Sequence, residues 1–147
     1  MKNPLDVGTK TIDAATVHCI RSLTPERLST LNTDKNFAFE IRTMNGDGAF
    51  IEDGIPLPSL LAAFAKIGED LTILNTGEAI RRDWVASVKD FVSRPDQPAK
   101  YSSVVKFVHP ETGRSAEEWF AAKREQIVGT TPRLDELAGG PRGGPGG

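Results

Sequence analysis

Cysteine and histidine are scarce in this sequence. Its 147 residues include one cysteine, Cys19, and two histidines, His18 and His109. One cysteine cannot form an internal disulfide, and the two histidines show none of the spacings of a zinc motif. Cys19 and His109 would act as nucleophile and base only if the fold brought them together, and no nucleophile motif surrounds Cys19. The sequence therefore predicts no catalytic residues, no metal site and no cofactor.

A long apolar run and an excess of basic charge are also missing. No apolar run approaches the ~20 residues that span a bilayer, and the N-terminus MKNPLDVGTK lacks the apolar core of a signal peptide. Together with the single cysteine, these absences predict a cytoplasmic protein without a membrane partner. The 18 Lys and Arg against 20 Asp and Glu give a net charge of −2, whereas nucleic-acid-binding proteins usually carry a basic surplus.

The segment RTMNGDGAFIEDG, residues 42–54, contains a short run that would suit the centre of a calcium loop. In such a loop, however, Thr43 would stand where Asp is required and Gly54 where a bidentate Glu is required. The residues before the loop alternate as in a half-buried strand, with Phe37, Phe39 and Ile41 on one side and Ala38, Glu40 and Arg42 on the other. The segment therefore predicts a β-hairpin over residues 36–53, with its turn at Asn45–Gly48 and without calcium binding.

Three segments have the spacing of amphipathic helices packed against a sheet. The first follows Pro56 and ends at Gly68, and its apolar stripe is Leu60, Leu61, Phe64 and Ile67. The second covers residues 78–92, and its apolar residues are Ile80, Trp84, Val88 and Phe91. The third begins at Ser115, which forms a capping box with Glu118, and ends at Gly129.

Shorter elements complete the predicted order. Residues 11–23 favour a helix, although TVHCIR within them would also fit a strand. Thr24-Pro25 predicts a short helix that runs to about Leu31. The segments DLTIL and YSSVVKFV predict two further strands, and a last helical turn is predicted from Thr131 to Leu137.

The order of these elements predicts a single α+β domain, with a small mixed sheet, a β-hairpin and about three packed amphipathic helices. Residues 1–10 are predicted to be a flexible N-terminal arm, and residues 11–138 the globular domain. The Gly- and Pro-rich residues 139–147 have little apolar surface to bury and are predicted to be a disordered tail.

An anion-binding site is the most specific chemical hypothesis that the sequence supports. Asn75, Thr76 and Gly77 form a turn before the helix predicted at 78–92, and free N–H groups at a helix N-terminus bind anions. Arg81 and Arg82 would add positive charge one turn into that helix. The simpler interpretation is an ordinary turn with a solvated pair of arginines, while Trp84, on the opposite face, anchors the core.

The sequence leaves three classes of function open. The lack of a catalytic set and the arms at both ends favour a non-enzymatic interaction or assembly module, whose partner is a second copy of the chain or another protein. The alternative is a small enzyme or a domain that binds an anionic or phosphate ligand near residues 75–82. Nucleic-acid binding, through Arg81, Arg82, Lys89 and the tail, is a second alternative that the net charge disfavours.

Overall fold

The computed structural model describes residues 2–8, 10–31, 34, 36–92, 95–96 and 100–129. Its strands are β1 (Pro4–Asp6), β2 (Thr11–Asp13), β3 (Val17–Ser22), β4 (Phe37–Thr43), β5 (Ala49–Glu52), β6 (Thr72–Ile73), β7 (Ala79–Ile80), β8 (Val85–Asp90), β9 (Ser103–Val108) and β10 (Ser115–Phe120). Its helices are α1 (Pro25–Ser29), α2 (Leu57–Lys66) and α3 (Arg124–Val128), and short 3-10 turns lie at Ala14–Thr16 and Arg82–Trp84.

The fold is mainly antiparallel sheet, so the predicted α+β domain with three helices packed on a mixed sheet is wrong. A five-stranded sheet has the order β5-β4-β3-β7-β6, a three-stranded sheet has the order β10-β9-β8, and β1 pairs with β2. In the two larger sheets, all neighbouring strands are antiparallel. Only α2 among the described helices is longer than five residues.

The core lies on both faces of the five-stranded sheet. On one face, α2 and the N-terminal strands bury a cluster around Ile20, Ile41 and Phe64. On the other face, the three-stranded sheet and α3 bury a cluster around Phe107 and Phe120. Strand β3 is central, between β4 and β7, and is therefore buried on both sides. Within the described residues, no helix combines the length and the apolar character needed to cross a membrane.

The hairpin predicted at 36–53 is confirmed by the pairing of β4 with β5. Its turn needs glycine twice. Gly46 has a φ of +77°, and a Cβ on Gly48 would lie 2.1 Å from the carbonyl oxygen of Ile41.

Two predicted helices are confirmed. The helix after Pro56 is α2, which buries Leu60 and Phe64. The short helix after Thr24 is α1, and the Thr24 hydroxyl caps it by accepting a hydrogen bond from the Arg27 N–H.

The helix predicted at 78–92 is wrong, because these residues form β7, a 3-10 turn and β8. Ile80, Trp84 and Val88 are spaced by four, and a spacing of four fits both the helical period of 3.6 and the strand period of two. Pairing decides between them: Ile80 lies opposite Cys19, and Val88 lies opposite Val105. The prediction that Trp84 anchors the centre of the core is also wrong, since its side chain is only half-buried.

The helix predicted from Ser115 is wrong in its first half, where residues 115–120 form β10. Glu118 is buried beside the buried Phe120, whereas Glu117 and Trp119 are exposed, so the segment has the period of a strand. Helix α3 begins only at Arg124, and Gly129 ends it as predicted, with a φ of +103°. The turn predicted from Thr131 to Leu137 and the predicted tail lie outside the described residues.

The helix favoured for residues 11–23 is also wrong, whereas the strand considered for TVHCIR is confirmed in β3. Four successive residues of β3, from Val17 to Ile20, are buried. A strand that is buried on both faces shows no alternation in sequence, which makes it hard to distinguish from a helix.

Asp13 connects the segment predicted as an N-terminal arm to the domain. Residues 4–6 of that segment form β1, and the Asp13 carboxylate accepts hydrogen bonds from the backbone N–H groups of Lys2, Asn3 and Ala15. Partial burial alone would raise the pKa of Asp13, but these three hydrogen bonds outweigh it and lower the pKa below its usual range.

Because this pKa is lowered by folding, the carboxylate stabilises the fold above the unfolded pKa of about 3.9 and loses that effect as the pH falls through the folded value. We therefore expect Asp13→Asn to lower the free energy of unfolding by about 1 kcal/mol at neutral pH. Urea unfolding at a series of pH values should show this difference disappearing in acid. The control Asp53→Asn, at an exposed position, should leave the stability at neutral pH almost unchanged. A difference in stability between the wild type and Asp13→Asn that persists in acid would contradict this account.

Candidate functional site

The turn predicted to bind an anion joins two strands. The Leu74 N–H donates to the Glu78 carbonyl, and the Gly77 N–H donates to the Leu74 carbonyl, which closes a hairpin between β6 and β7. Gly77 has a φ of +83°, as such a turn requires. Asn75 donates its N–H to Gln126. Residues 78–92 contain no α-helix, so the helix N-terminus on which the anion-site hypothesis rested is missing.

The two arginines beside this turn are occupied by internal hydrogen bonds. Arg81 is buried, and it donates to the carbonyl oxygens of Val17 and Ala14 and to the carboxylate of Glu69 over 2.7–2.8 Å. Its guanidinium also lies 4.2 Å from the centre of the Trp84 ring. Arg82 donates to the carbonyl oxygens of Gln126 and Ile127. The interpretation of these arginines as a solvated pair is therefore wrong.

A buried carboxylate, Glu118, connects the two larger sheets. It extends from β10 and accepts hydrogen bonds from His18 and Arg21 of β3 and from Arg42 of β4. The His18 Nε2 atom is 2.8 Å from Glu118 Oε2. Burial alone would raise the pKa of Glu118, but the His18 hydrogen bond and the positive charge of Arg42 and Arg21 outweigh it and lower the pKa. Glu118 is therefore held as a carboxylate.

A β-bulge brings His18 into this network. The register of β3 against β4 shifts between Val17 and Cys19, and such a shift places two successive side chains on the same face. The His18 ring packs against Phe107 at 5.2 Å, in the same core layer as Cys19. Cross-strand pairing then places Arg42 opposite Cys19.

Two further carboxylates lie on the same side of the five-stranded sheet, and arginines hold both of them. Glu78 accepts hydrogen bonds from the side chain of Arg21 at 2.8 Å and from the Ser22 N–H at 3.0 Å. Glu40 accepts from Arg42 at 3.3 Å and from Arg27 at 3.4 Å. The acidic groups of this region are thus paired with guanidinium groups of the same chain.

The paired side chains described above form the floor of a cleft of about 420 Å³, namely Arg21, Glu40, Arg42, Glu78 and Glu118. Its rim contains Arg27, Lys100, Tyr101 and Trp119. Trp119 is 42% exposed, which is unusual for a tryptophan. The Arg27 side chain is 44% exposed, and Lys100 is exposed and makes no hydrogen bond or ion pair within the described part of the chain. Thr76, one of the residues predicted to bind an anion, also lines this cleft.

Cys19 and His109 occupy different environments. The His109 ring packs against Trp84 at 4.6 Å, and its Nδ1 atom accepts hydrogen bonds from the N–H groups of Glu111 and Thr112. Cys19 lies beside His18 and Glu118 instead. Burial raises the pKa of the Cys19 thiol well above its usual range, so Cys19 is protonated and unreactive as a nucleophile.

The network around Glu118 was missed by the sequence analysis. Its four members lie on three strands that are distant in sequence: His18, Arg21, Arg42 and Glu118. One signal was present, because the strand predicted at 36–43 placed Glu40 and Arg42 on a common polar face. Comparison of the chain with protein-family models, with curated proteins and with solved structures finds no match.

Proposed function

We propose that this chain is a non-enzymatic interaction module that binds an acidic segment of a partner protein in the cleft between the two sheets. One observation carries the proposal. Exposed cations and an exposed tryptophan share the rim of the cleft, while the carboxylates of its floor are already paired with arginines. An acidic segment would therefore meet Lys100, which is unpaired within the described residues, and the exposed Arg27, whose carboxylate partner Glu40 is also held by Arg42.

The chemistry of the rim suits a peptide. Arg27 and Lys100 offer N–H donors for carboxylates, and Trp119 offers an apolar surface for an aliphatic or aromatic side chain. Tryptophan and arginine are the residues that most often dominate the energy of protein interfaces. The cleft is not suited to general acid–base catalysis, because Glu40, Glu78 and Glu118 are each bound to at least one arginine.

Charge reversal at the rim tests the proposal. The probe is a capped octapeptide of glutamate with two leucines, titrated into the full chain by isothermal calorimetry at low ionic strength. We expect saturable binding that weakens as salt is added, because exposed charges are screened. The double variant Arg27→Glu/Lys100→Glu should bind roughly tenfold more weakly or worse, since like charges then face each other.

A matched control is Lys66→Glu/Lys106→Glu, which reverses two exposed lysines that do not line the cleft. This variant has the same net charge as the rim variant and should bind the peptide like the wild type. Equal loss in both variants would mean that only net charge matters, and it would overturn the proposal. A short single-stranded oligonucleotide that bound more tightly than the peptide at the same salt concentration would instead favour nucleic acid.

Self-association, predicted from the sequence, stays a separate prediction. Sedimentation velocity over a range of micromolar concentrations distinguishes a monomer from a dimer or larger particle. Loss of self-association in the rim variant, but not in the control variant, would identify the acidic segment as part of a second copy.

A further inference from the structure

One buried cluster lies beneath the cleft, and two of its three residues, His18 and Cys19, do not line the cleft. A ring nitrogen of His18, the Cys19 sulfur and a carboxylate oxygen of Glu118 lie within 4.8 Å of one another, and all three residues are buried. Two ligands bound to one tetrahedral zinc ion at 2.0–2.3 Å lie about 3.3–3.8 Å apart. The cluster would therefore need to contract by roughly 1.5 Å at most to share an ion.

The cluster is also incomplete as a set of hydrogen bonds. His18 is 2% exposed, and its Nδ1 atom is the one buried side-chain nitrogen or oxygen in the described residues that has no hydrogen-bond partner. The Glu118 Oε2 atom lies 2.8 Å from the other ring nitrogen, Nε2, so an ion held by both residues would bind Nε2 and take the place of this hydrogen bond.

We propose that His18, Cys19 and Glu118 form a binding site for a divalent transition-metal ion of the Zn²⁺ type. The donor set of one nitrogen, one sulfur and one oxygen suits Zn²⁺ and disfavours Ca²⁺ and Mg²⁺, which require oxygen ligands. Glu118 and Arg42 line the cleft, so an ion would enter from that side. The site shares Glu118 with the floor of the cleft but uses none of the residues of its rim.

Cobalt titration of the full chain tests this site, because a cobalt–thiolate bond gives a charge-transfer absorption band that histidine and carboxylate ligands do not give. Cys19 is the only cysteine of the chain, so the band can arise only from this residue. We expect the band to saturate at one equivalent of Co²⁺ and to disappear when Zn²⁺ is added. His109→Gln, which replaces the other histidine, should keep the band.

Thermal unfolding gives a second measurement that does not depend on colour. Zn²⁺ should raise the Tm of the wild type, because an ion that binds only the folded chain stabilises it. The same ion should leave the Tm of a folded Cys19→Ala variant unchanged, with folding checked by circular dichroism. The absence of a charge-transfer band at millimolar Co²⁺, or an equal rise in the Tm of both proteins, would overturn the proposal.

Discussion

Replacing Glu118 with alanine is expected to lower the free energy of unfolding by about 3–5 kcal/mol, because it removes one partner from a buried charge network. Glu118 is 6% exposed and accepts hydrogen bonds from three side chains. Without it, Arg21 and Arg42 would keep their charge beside an empty volume. A loss of this size is a large part of the ~5–15 kcal/mol that stabilises a typical domain, so part of the variant is expected to unfold near physiological temperature.

Glu117→Ala is the matched control for this change. Glu117 is the preceding residue of the same strand, but its side chain is exposed, so its loss should leave the stability almost unchanged. Glu118→Gln keeps the volume but not the charge, and it should fall between the wild type and Glu118→Ala. Urea unfolding followed by circular dichroism measures all three. Equal stability of Glu118→Ala and Glu117→Ala would show that the network does not hold the sheets together.

The second large effect is expected at Arg81. Arg81→Ala should also cost about 3–5 kcal/mol, because Glu69 would lose its counter-ion and two buried carbonyl groups would lose their donor. The sequence analysis interpreted Arg81 and Arg82 as a solvated pair, and the loss of solvated side chains would have had little effect on folding. The buried position of Arg81 reverses that expectation.

One variant separates the charge of Arg81 from its geometry, and another serves as a control. Arg81→Lys keeps the positive charge, but an ammonium cannot reproduce the planar fork that reaches three acceptors, so it should restore only part of the stability. Arg114→Ala removes an exposed arginine and should have little effect. A thermal melt of Arg81→Ala that matches that of Arg114→Ala would contradict the buried role of Arg81.

Local signals in the sequence were sufficient for the hairpin and for α2. The turn at Asn45–Gly48 contains two glycines that its geometry requires, and the alternation of Phe39 and Ile41 with Glu40 fixed which residues share a face. Gly68, with a φ of +86°, marks the end of α2. Such features depend on a few neighbouring residues, so they form independently of contacts with distant parts of the chain.

The other strands could not be predicted because their patterns are ambiguous or are set by distant residues. The spacing of Ile80, Trp84 and Val88 fits two periods, and only pairing with β3 and β9 selects the strand. Glu118 has the spacing of a capping box with Ser115, although its partners are His18, Arg21 and Arg42. The residues next to Glu118 in the sequence do not indicate that Glu118 is buried, or that its partner His18 lies 100 positions away.

The arginines illustrate the same limit. Arg81 is buried and Arg82 is half-buried, yet the sequence presents them as one basic pair. The cations exposed at the rim of the cleft, Arg27 and Lys100, lie in different segments and are brought together by the packing of the two sheets. A binding site of this kind is a property of the tertiary structure.

Tryptophan fluorescence tests the proposed peptide site most directly. The chain has two tryptophans, Trp84 and Trp119, so Trp84→Phe leaves Trp119 at the rim of the cleft as the only one. Titrating this variant with the glutamate–leucine octapeptide should shift the Trp119 emission to shorter wavelength with a saturable dependence, because the indole leaves water. A lysine–leucine octapeptide should leave the emission unchanged. An unchanged Trp119 emission with the acidic peptide, under conditions where calorimetry detects binding, would place the binding surface elsewhere and contradict the proposed site.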